Sequence, residues 1–170
     1  NYNDLKNLIN NKIEIIHSND LKNLLKETKT NLTILSIAGY ESLNFIESIL
    51  QNTNNLGIVN KEAIIAAGNL INKLSKKYKT NIYALDSEHF SIQNFFNDFS
   101  KTSKKNIKKI FLTASGGPFY NKSFSDIKNV SFNKAIKHPK WNMGIKNSVD
   151  SASLVNKCLE IIEAHYLFNI

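Results

Sequence analysis

Asn31-Leu-Thr-Ile-Leu-Ser-Ile37 is short, apolar and rich in β-branched residues, the composition of a strand buried on both faces of a parallel sheet. Leu56-Gly-Ile-Val59 and Asn81-Ile-Tyr-Ala-Leu85 repeat that character downstream. A tight turn at Ala38-Gly39-Tyr-Glu-Ser42 leads into apolar positions at Leu43, Phe45, Ile46, Ile49 and Leu50. Ala63 to about Lys77 also has helical periodicity. Strand and helix alternating at this rhythm read as βαβ units and a parallel sheet. Upstream, Lys12-Ile-Glu-Ile-Ile16 reads as a further strand, and Ser18-Asn-Asp20 can cap a helix from Leu21 to about Glu27.

Beyond Leu85 the pattern changes. A helix around Ser91–Phe99 precedes Ile107-Lys-Lys-Ile-Phe-Leu-Thr113, which reads as a strand entering the turn Ala114-Ser-Gly-Gly-Pro-Phe119. Ser125-Asp-Ile-Lys and Ser131-Phe-Asn-Lys-Ala read as short capped helices. The expected fold class is α/β: a Rossmann-like parallel sheet over residues 1–85, then an α+β unit over residues 86–170.

Composition narrows the partners. With 170 residues the chain is one large domain or two small ones, and its 42% hydrophobic content is that of a globular protein. No apolar run approaches the ~20 residues of a membrane helix, so no membrane partner is expected. The single cysteine, Cys158, excludes an internal disulfide framework and fits a reducing compartment. The net charge of +8 is spread through an Asn-, Ile- and Lys-rich background. Its densest cluster, Lys101, Lys104, Lys105, Lys108 and Lys109, lies beside the expected strand and reads as a solvated edge. No aromatics are interleaved to stack bases, so nucleic acid is not expected as a partner. The chain opens without Met or a signal peptide and ends at Phe168-Asn169-Ile170 after a helical run. It reads as the interior of something longer.

The chemistry concentrates in the second half. His138-Pro-Lys-Trp-Asn-Met-Gly144, Ser148-Val-Asp-Ser-Ala-Ser153 and Asn156-Lys-Cys-Leu-Glu160 together offer hydroxyls, an amide, an ammonium and a carboxylate beside an aromatic-bearing loop. That mixture suits a phosphorylated, metal-chelating ligand. Asp86 and Glu88 flank Ser87 at the end of an apolar strand. Spaced by two, they leave the same face and can converge on one divalent cation, or form a solvated acidic turn. Lys157 and Glu160 share a helix face, either as a surface ion pair or, with Ser148, Ser151 and Ser153 at the helix start, as part of a phosphate site. Glu160 falls on the face that Ile161 and Ile162 do not occupy. Ser115-Gly-Gly-Pro is a phosphate-cradling turn or simply a turn. Trp141, with Met143 beside it, suggests a lid that excludes water. Asn60-Lys-Glu62 sets a cation and an acid at the mouth of the expected cleft. His17 and His165 read as structural, and Cys158 has no evident activating partner.

In this order, Asn60-Lys-Glu62, Asp86-Ser-Glu-His89, Ala114-Ser-Gly-Gly-Pro-Phe119, His138-Pro-Lys-Trp-Asn-Met-Gly144 and Ser148 to Glu163 resemble the 1-deoxy-D-xylulose 5-phosphate reductoisomerase family of the non-mevalonate isoprenoid pathway. The resemblance runs from about Ile34 to the last residue. It implies NADPH and Mg²⁺ or Mn²⁺ as cofactors, a small phosphosugar as substrate, and a rearrangement followed by hydride delivery that yields 2-C-methyl-D-erythritol 4-phosphate. It implies Asp86, Glu88 and Glu160 as metal ligands. Ser115, Ser151, Asn156 and Lys157 would hold the phosphate, His138 and Trp141 would belong to the lid, and Lys61 and Ser87 would touch substrate. Asn60, Glu62 and Gly144 would line the NADPH site. Residues 1–85 would then be the C-terminal part of an NADPH-binding domain and 86–170 the N-terminal part of a catalytic domain, in a homodimer of a bacterial cytoplasm or a plastid stroma. The chain departs from the family pattern at Ala63, Phe90, Leu154-Val155 and Cys158. The Gly-rich first βα turn and the C-terminal helical domain of the family are not among these residues.

Two other readings share part of the pattern. A different Rossmann-type oxidoreductase or phosphosugar enzyme would share the βαβ layout but not the Trp-Asn-Met-Gly segment. A basic binding module would show a steep salt dependence toward nucleic acid.

Overall fold

The computed structural model describes residues 2–9, 13–98, 106–140, 142 and 144–170. The chain forms two compact units, one ending at Leu85 and the other beginning at Asp86.

The first unit carries helices α1 (Tyr2–Leu8) and α2 (Leu21–Glu27), then strand β1 (Thr30–Leu35), a 3₁₀ turn (Gly39–Ser42) and helix α3 (Leu43–Asn52). Strand β2 (Thr53–Ile58), helix α4 (Lys61–Tyr78) and strand β3 (Asn81–Ala84) complete it. The three strands form a parallel sheet in the order β1-β2-β3, with Ile34 opposite Gly57 and Leu56 opposite Ile82. Parallel strands cannot be joined by a tight turn, so α3 and α4 serve as the crossovers. Each crossover turns an apolar stripe inward: Ile46, Ile49 and Leu50 from α3, and Ala63, Ile64, Ile71 and Leu74 from α4. They pack with Leu35, Leu56, Ile58 and Ala84 of the sheet. At ~25 cal/mol per Å² of apolar surface removed from water, this aliphatic core is the main stabilising term of the unit. Thr80 closes it by donating to the Leu50 and Thr53 carbonyls.

The strand expected at Lys12–Ile16 is not formed by its described residues. Residues 13–16 lie outside any strand, and Lys12 is outside the described residues. The alternation there offers an apolar face, but among the described residues no neighbouring strand supplies the ladder of hydrogen bonds that a strand requires.

The second unit carries helices α5 (Ser87–Asp98), α6 (Phe124–Ile127), α7 (Phe132–Ala135), α8 (Ile145–Ala152) and α9 (Val155–Phe168). Ser123 and Asp126 close a reciprocal capping box on α6. Residues 107–113, expected as a strand, have no strand partner among the described residues. The apolar run supplies strand composition but not a partner. Lys101, Lys104 and Lys105 lie outside the described residues.

The start of the last helix also differs from expectation. Ser148 and Ser151 lie within α8, and a left-handed Leu154 (φ 61°) separates α8 from α9. The serines therefore flank a junction between two helices rather than a single N-terminus. Among the described residues, no helix is long and apolar enough to cross a membrane.

Candidate functional site

Helix α5 begins at Ser87, four residues earlier than its periodicity suggested. Asp86 and Glu88 are therefore not alternate residues of a strand, and the same-face argument for their spacing does not hold. Asp86 acts as a cap. Its Oδ1 accepts from the His89 backbone N–H at 2.8 Å and its Oδ2 lies 2.5 Å from His89 Nδ1. Glu88 turns elsewhere, accepting from Ser87 Oγ at 2.6 Å and from Lys157 Nζ at 3.0 Å.

Lys157 comes from the first turn of α9, and one turn later stands Glu160, only 2% exposed. The ammonium donates to Glu160 Oε2 at 2.8 Å, while the Asn156 amide donates to Glu160 Oε1. A single cation is thus held between two carboxylates from different helices. Those oxygens are no farther apart than the two bonds laid end to end. Burial works against the charge on both Glu88 and Lys157. The hydrogen bonds that Glu88 accepts from Ser87 and Lys157 outweigh this and hold its carboxyl below the ordinary value. Hydrogen bonds to Glu160 and Glu88 likewise hold the Lys157 ammonium above its own.

Helix α9 is therefore not a surface helix with a solvated ion pair. It buries Glu160, Glu163 and Phe168, while Ile161 and Ile162 are exposed.

His89 and Glu163 were given no role by the sequence reading. His89 is 1% exposed, and its Nε2 donates to the Glu160 backbone carbonyl at 2.8 Å. Its Nδ1 faces Asp86, and Glu163 Oε2 lies 3.4 Å away. Both nitrogens of the ring face oxygen atoms. Burial alone would push its pKa down. The hydrogen bond to Asp86 and the charges of Glu163 and Asp86 hold it above the ordinary value instead. Asp86, although penalised by burial, is lowered by its bonds to His89. Phe168 stacks beside the imidazole, with ring centroids 6.1 Å apart. One sequence signal pointed here: Glu160 and Glu163 are three apart on one helix, and so are Asp86 and His89 across the start of another.

A cleft of about 690 Å³ opens beside these groups, with Glu88, His89 and Glu160 on its wall and Ile92, Ile110 and Ile161 among its apolar lining. A second, of about 440 Å³, is lined by Ser115, Gly117, Tyr120 and Lys140. Here Ser115 Oγ lies 2.9 Å from His138 Nε2. Gly116 and Gly117 both have positive φ (94° and 61°), which an L side chain rarely adopts. A Cβ on Gly117 would come within 3.0 Å of the Ser151 carbonyl, so the turn packs closely on the end of α8. Gly144 precedes α8, and its carbonyl accepts from the backbone and hydroxyl of the buried Ser148. Trp141 and Met143, read as lid residues, lie outside the described residues.

In the first unit Asn60 caps α4 by accepting from the Ala63 N–H. Its amide faces the Ile37 and Gly39 carbonyls and the Ser42 hydroxyl, and the residue is 5% exposed. Asn60 therefore shapes the loop at the carboxyl end of the sheet from within. Lys61 and Glu62 open α4 at that same end, where parallel sheets hold ligands.

The Glu88 and Glu160 oxygens fit a hard divalent cation, since they converge where an ammonium already stands as the positive charge, whereas Asp86, expected as the third ligand, groups with His89 and Glu163 instead. The hydroxyl, imidazole and glycine-rich turn around Ser115 fit a phosphate.

The chain is similar to known proteins over most of its length. The profile described as 1-deoxy-D-xylulose 5-phosphate reductoisomerase C-terminal domain matches residues 82–168. The chain is 43% identical over 151 residues to the 1-deoxy-D-xylulose 5-phosphate reductoisomerase of Malacoplasma penetrans, covering 89% of this chain and 39% of that protein. To that of Pelagibacter ubique it is 42% identical over 167 residues, covering 97% and 42%. Among solved structures, a DOX-P reductoisomerase in complex with NADPH, fosmidomycin and magnesium superposes with TM-score 0.74 at 32% identity, over 99% of this chain and 44% of that one. The enzyme from Zymomonas mobilis in complex with NADPH gives TM-score 0.75 at 31% identity, over 99% and 43%. The chain thus spans about two fifths of the length of these relatives. With the matched profile covering the whole span from Asp86 to Glu163 in which these carboxylates, the imidazole and the ammonium meet, the chain belongs to the 1-deoxy-D-xylulose 5-phosphate reductoisomerase family.

Proposed function

We propose that this chain carries the metal- and substrate-binding part of an enzyme that converts 1-deoxy-D-xylulose 5-phosphate to 2-C-methyl-D-erythritol 4-phosphate, using NADPH and Mg²⁺ or Mn²⁺, in non-mevalonate isoprenoid synthesis. The observation that carries this reading is the Lys157 ammonium held between the Glu88 and Glu160 carboxylates. The relatives' solved complexes with NADPH, fosmidomycin and magnesium support it.

In this reading Glu88 and Glu160, with Asp86 as the third carboxylate, hold the divalent ion. When bound, the ion supplies Lewis-acid polarisation of the substrate oxygens, and NADPH supplies the hydride. The chain's own groups bind, orient and shield. Lys157, Asn156, Ser151 and Ser115 take the phosphate, and His138, bonded to Ser115, orients that hydroxyl. Lys157 would leave its two carboxylates and turn its donors to the phosphate, exchanging one pair of anions for another. The resemblance assigns Lys61 and Ser87 to the substrate and Trp141 to the shielding lid. It assigns Asn60, Glu62 and Gly144 to NADPH, with Asn60 acting through the shape of the 37–39 loop. Residues 1–85 would be the end of the nucleotide domain and 86–170 the start of the catalytic domain. The homodimer and the bacterial cytoplasm belong to the same proposal.

Electron paramagnetic titration of Mn²⁺ tests it. The full chain should bind one ion, and Glu160→Gln should weaken that binding by roughly 100-fold while the circular dichroism stays the same. Unchanged affinity in Glu160→Gln sinks the reading. In parallel, the aligned segment of the Malacoplasma penetrans relative can be replaced by this chain. The chimaera should oxidise NADPH in a substrate-dependent way, and should lose that activity on Glu160→Gln.

A further inference from the structure

The imidazole of His138 is oriented by its own loop. The Lys140 backbone N–H donates to its Nδ1 at 3.2 Å, so Nδ1 accepts and the ring's proton sits on Nε2. Nε2 lies 2.9 Å from Ser115 Oγ and therefore donates to it. With that lone pair engaged, the Ser115 hydroxyl has its own proton to give into the cleft of about 440 Å³ that it lines with Gly117, Tyr120 and Lys140. The relay starts at the Lys140 backbone and ends in the cleft that the Lys140 side chain also lines. We propose that Lys140 is a phosphate-binding residue. Its ammonium supplies the positive charge of this cleft and, with the Ser115 hydroxyl, holds the phosphate of the substrate. This deepens the proposed function and rests on its assignment of Ser115 to the phosphate.

A phosphate ester bears a charge of about −1.5 to −2 near neutral pH and is held best by donors that are themselves charged. Lys157, which the resemblance assigns to the phosphate, stands 3.0 Å from Glu88 and 2.8 Å from Glu160. It reaches a phosphate only by leaving those carboxylates. Lys140 has no such bonds to break: among the described residues no carboxylate is paired with its ammonium. Between Asn106 and Lys140 the one acid in the sequence is Asp126, and it is closed on Ser123 in the capping box of α6. The cleft lining accordingly holds an ammonium and no carboxylate. Gly117 lines it without a side chain, so a tetrahedral anion can come close to the backbone there.

The other role open to this lysine is that of a solvated surface charge. Its company argues against it. Lys134 and Lys137 are equally exposed on the same stretch, yet neither lines the cleft beside an oriented hydroxyl.

The test is titration of the full chain with inorganic phosphate, followed by phosphorus NMR. Lys140→Met should weaken phosphate by about 10-fold and flatten its dependence on salt, while Lys140→Arg, which keeps the charge, restores both. Lys140 is exposed, so neither substitution burdens the fold. In the chimaera, Lys140→Met should raise KM for the phosphosugar by about 10-fold and leave KM for NADPH as it was. Wild-type phosphate affinity in Lys140→Met overturns the inference and makes the lysine a solvated charge. A rise in KM for NADPH instead assigns Lys140 to the cofactor's phosphates and overturns it as well. If Ser115→Ala and Lys157→Met weaken phosphate while Lys140→Met does not, the phosphate site stands and only this inference falls. If the wild-type chain takes up no phosphate, or Ser115→Ala changes nothing, the assignment of Ser115 falls with it.

Discussion

The two units of this chain bury opposite kinds of side chain. The first encloses aliphatic residues from two helices and a sheet, with Leu50, Leu56 and Ile71 completely shielded. The second, among its described residues, buries one large apolar side chain, Phe168, and beside it His89, Ser148, Glu160 and Glu163. Phe111 and Phe124 face outward, 83% and 80% exposed. One interior is built for cohesion and the other around charge. Burying ions is costly, and in the proposed function the second unit meets that cost at its metal site.

The largest expected effect tests the cohesive side. Leu50→Ala should destabilise the first unit by about 3 kcal/mol, read as a lowered urea midpoint by circular dichroism, and leave Mn²⁺ affinity unchanged. Loss of metal binding at temperatures where Leu50→Ala is still folded would break the separation of roles.

The next tests the charged side. Lys157→Met keeps the apolar stem but removes the ammonium between Glu88 and Glu160. Mn²⁺ should then bind on the order of 10-fold more tightly, since the resident positive charge no longer competes. Binding of a phosphonate inhibitor should weaken. Unchanged or weaker Mn²⁺ binding would show that the lysine supports the carboxylates rather than standing in for a metal.

The third sharpens the comparison by pH. The His89 pKa is raised in the folded state, so its contribution is fully present below its ordinary 6.5 and is lost as pH rises through the raised value. The Asp86 pKa is lowered, so its contribution is present above 3.8 and lost as pH falls through the lowered value. Trp141 is the only tryptophan and belongs to the second half of the sequence. Its fluorescence should report a lower urea midpoint at pH 9 than at pH 5.5, a difference that His89→Gln removes. The smallest effect is expected at the surface. Lys146 and Asp150 form an exposed helical ion pair at 2.6 Å, and Lys146→Ala should change stability by no more than about 0.5 kcal/mol.

The sheet was readable because its signals are local. Thr30–Leu35, Thr53–Ile58 and Asn81–Ala84 are apolar or β-branched runs between helical periods, and a parallel sheet needs little else. Residues 107–113 carry the same composition but no partner strand, and pairing is a property of two segments that one segment cannot announce. Asp86 and Glu88 were singled out on an argument that assumed extended backbone. The helix that starts at Ser87 turns them to different partners. Asn156, Lys157 and Glu160 were legible from helical spacing. Glu163 was not, because a second acid on a helix reads as solvated until its burial is known. His89 sat in a quoted motif without a task, since the carbonyl it binds is 71 residues away.

Leu154 has one more consequence. A branched aliphatic residue at φ 61° is under strain, and relaxing it to right-handed geometry would let α8 continue into α9 as a single rod. Asn156, Lys157 and Glu160 would then point along a different azimuth. The substitutions that drift can accept at this joint are glycine and asparagine, which take the left-handed form cheaply. Valine or isoleucine would be weeded out, although neither would touch any ligand.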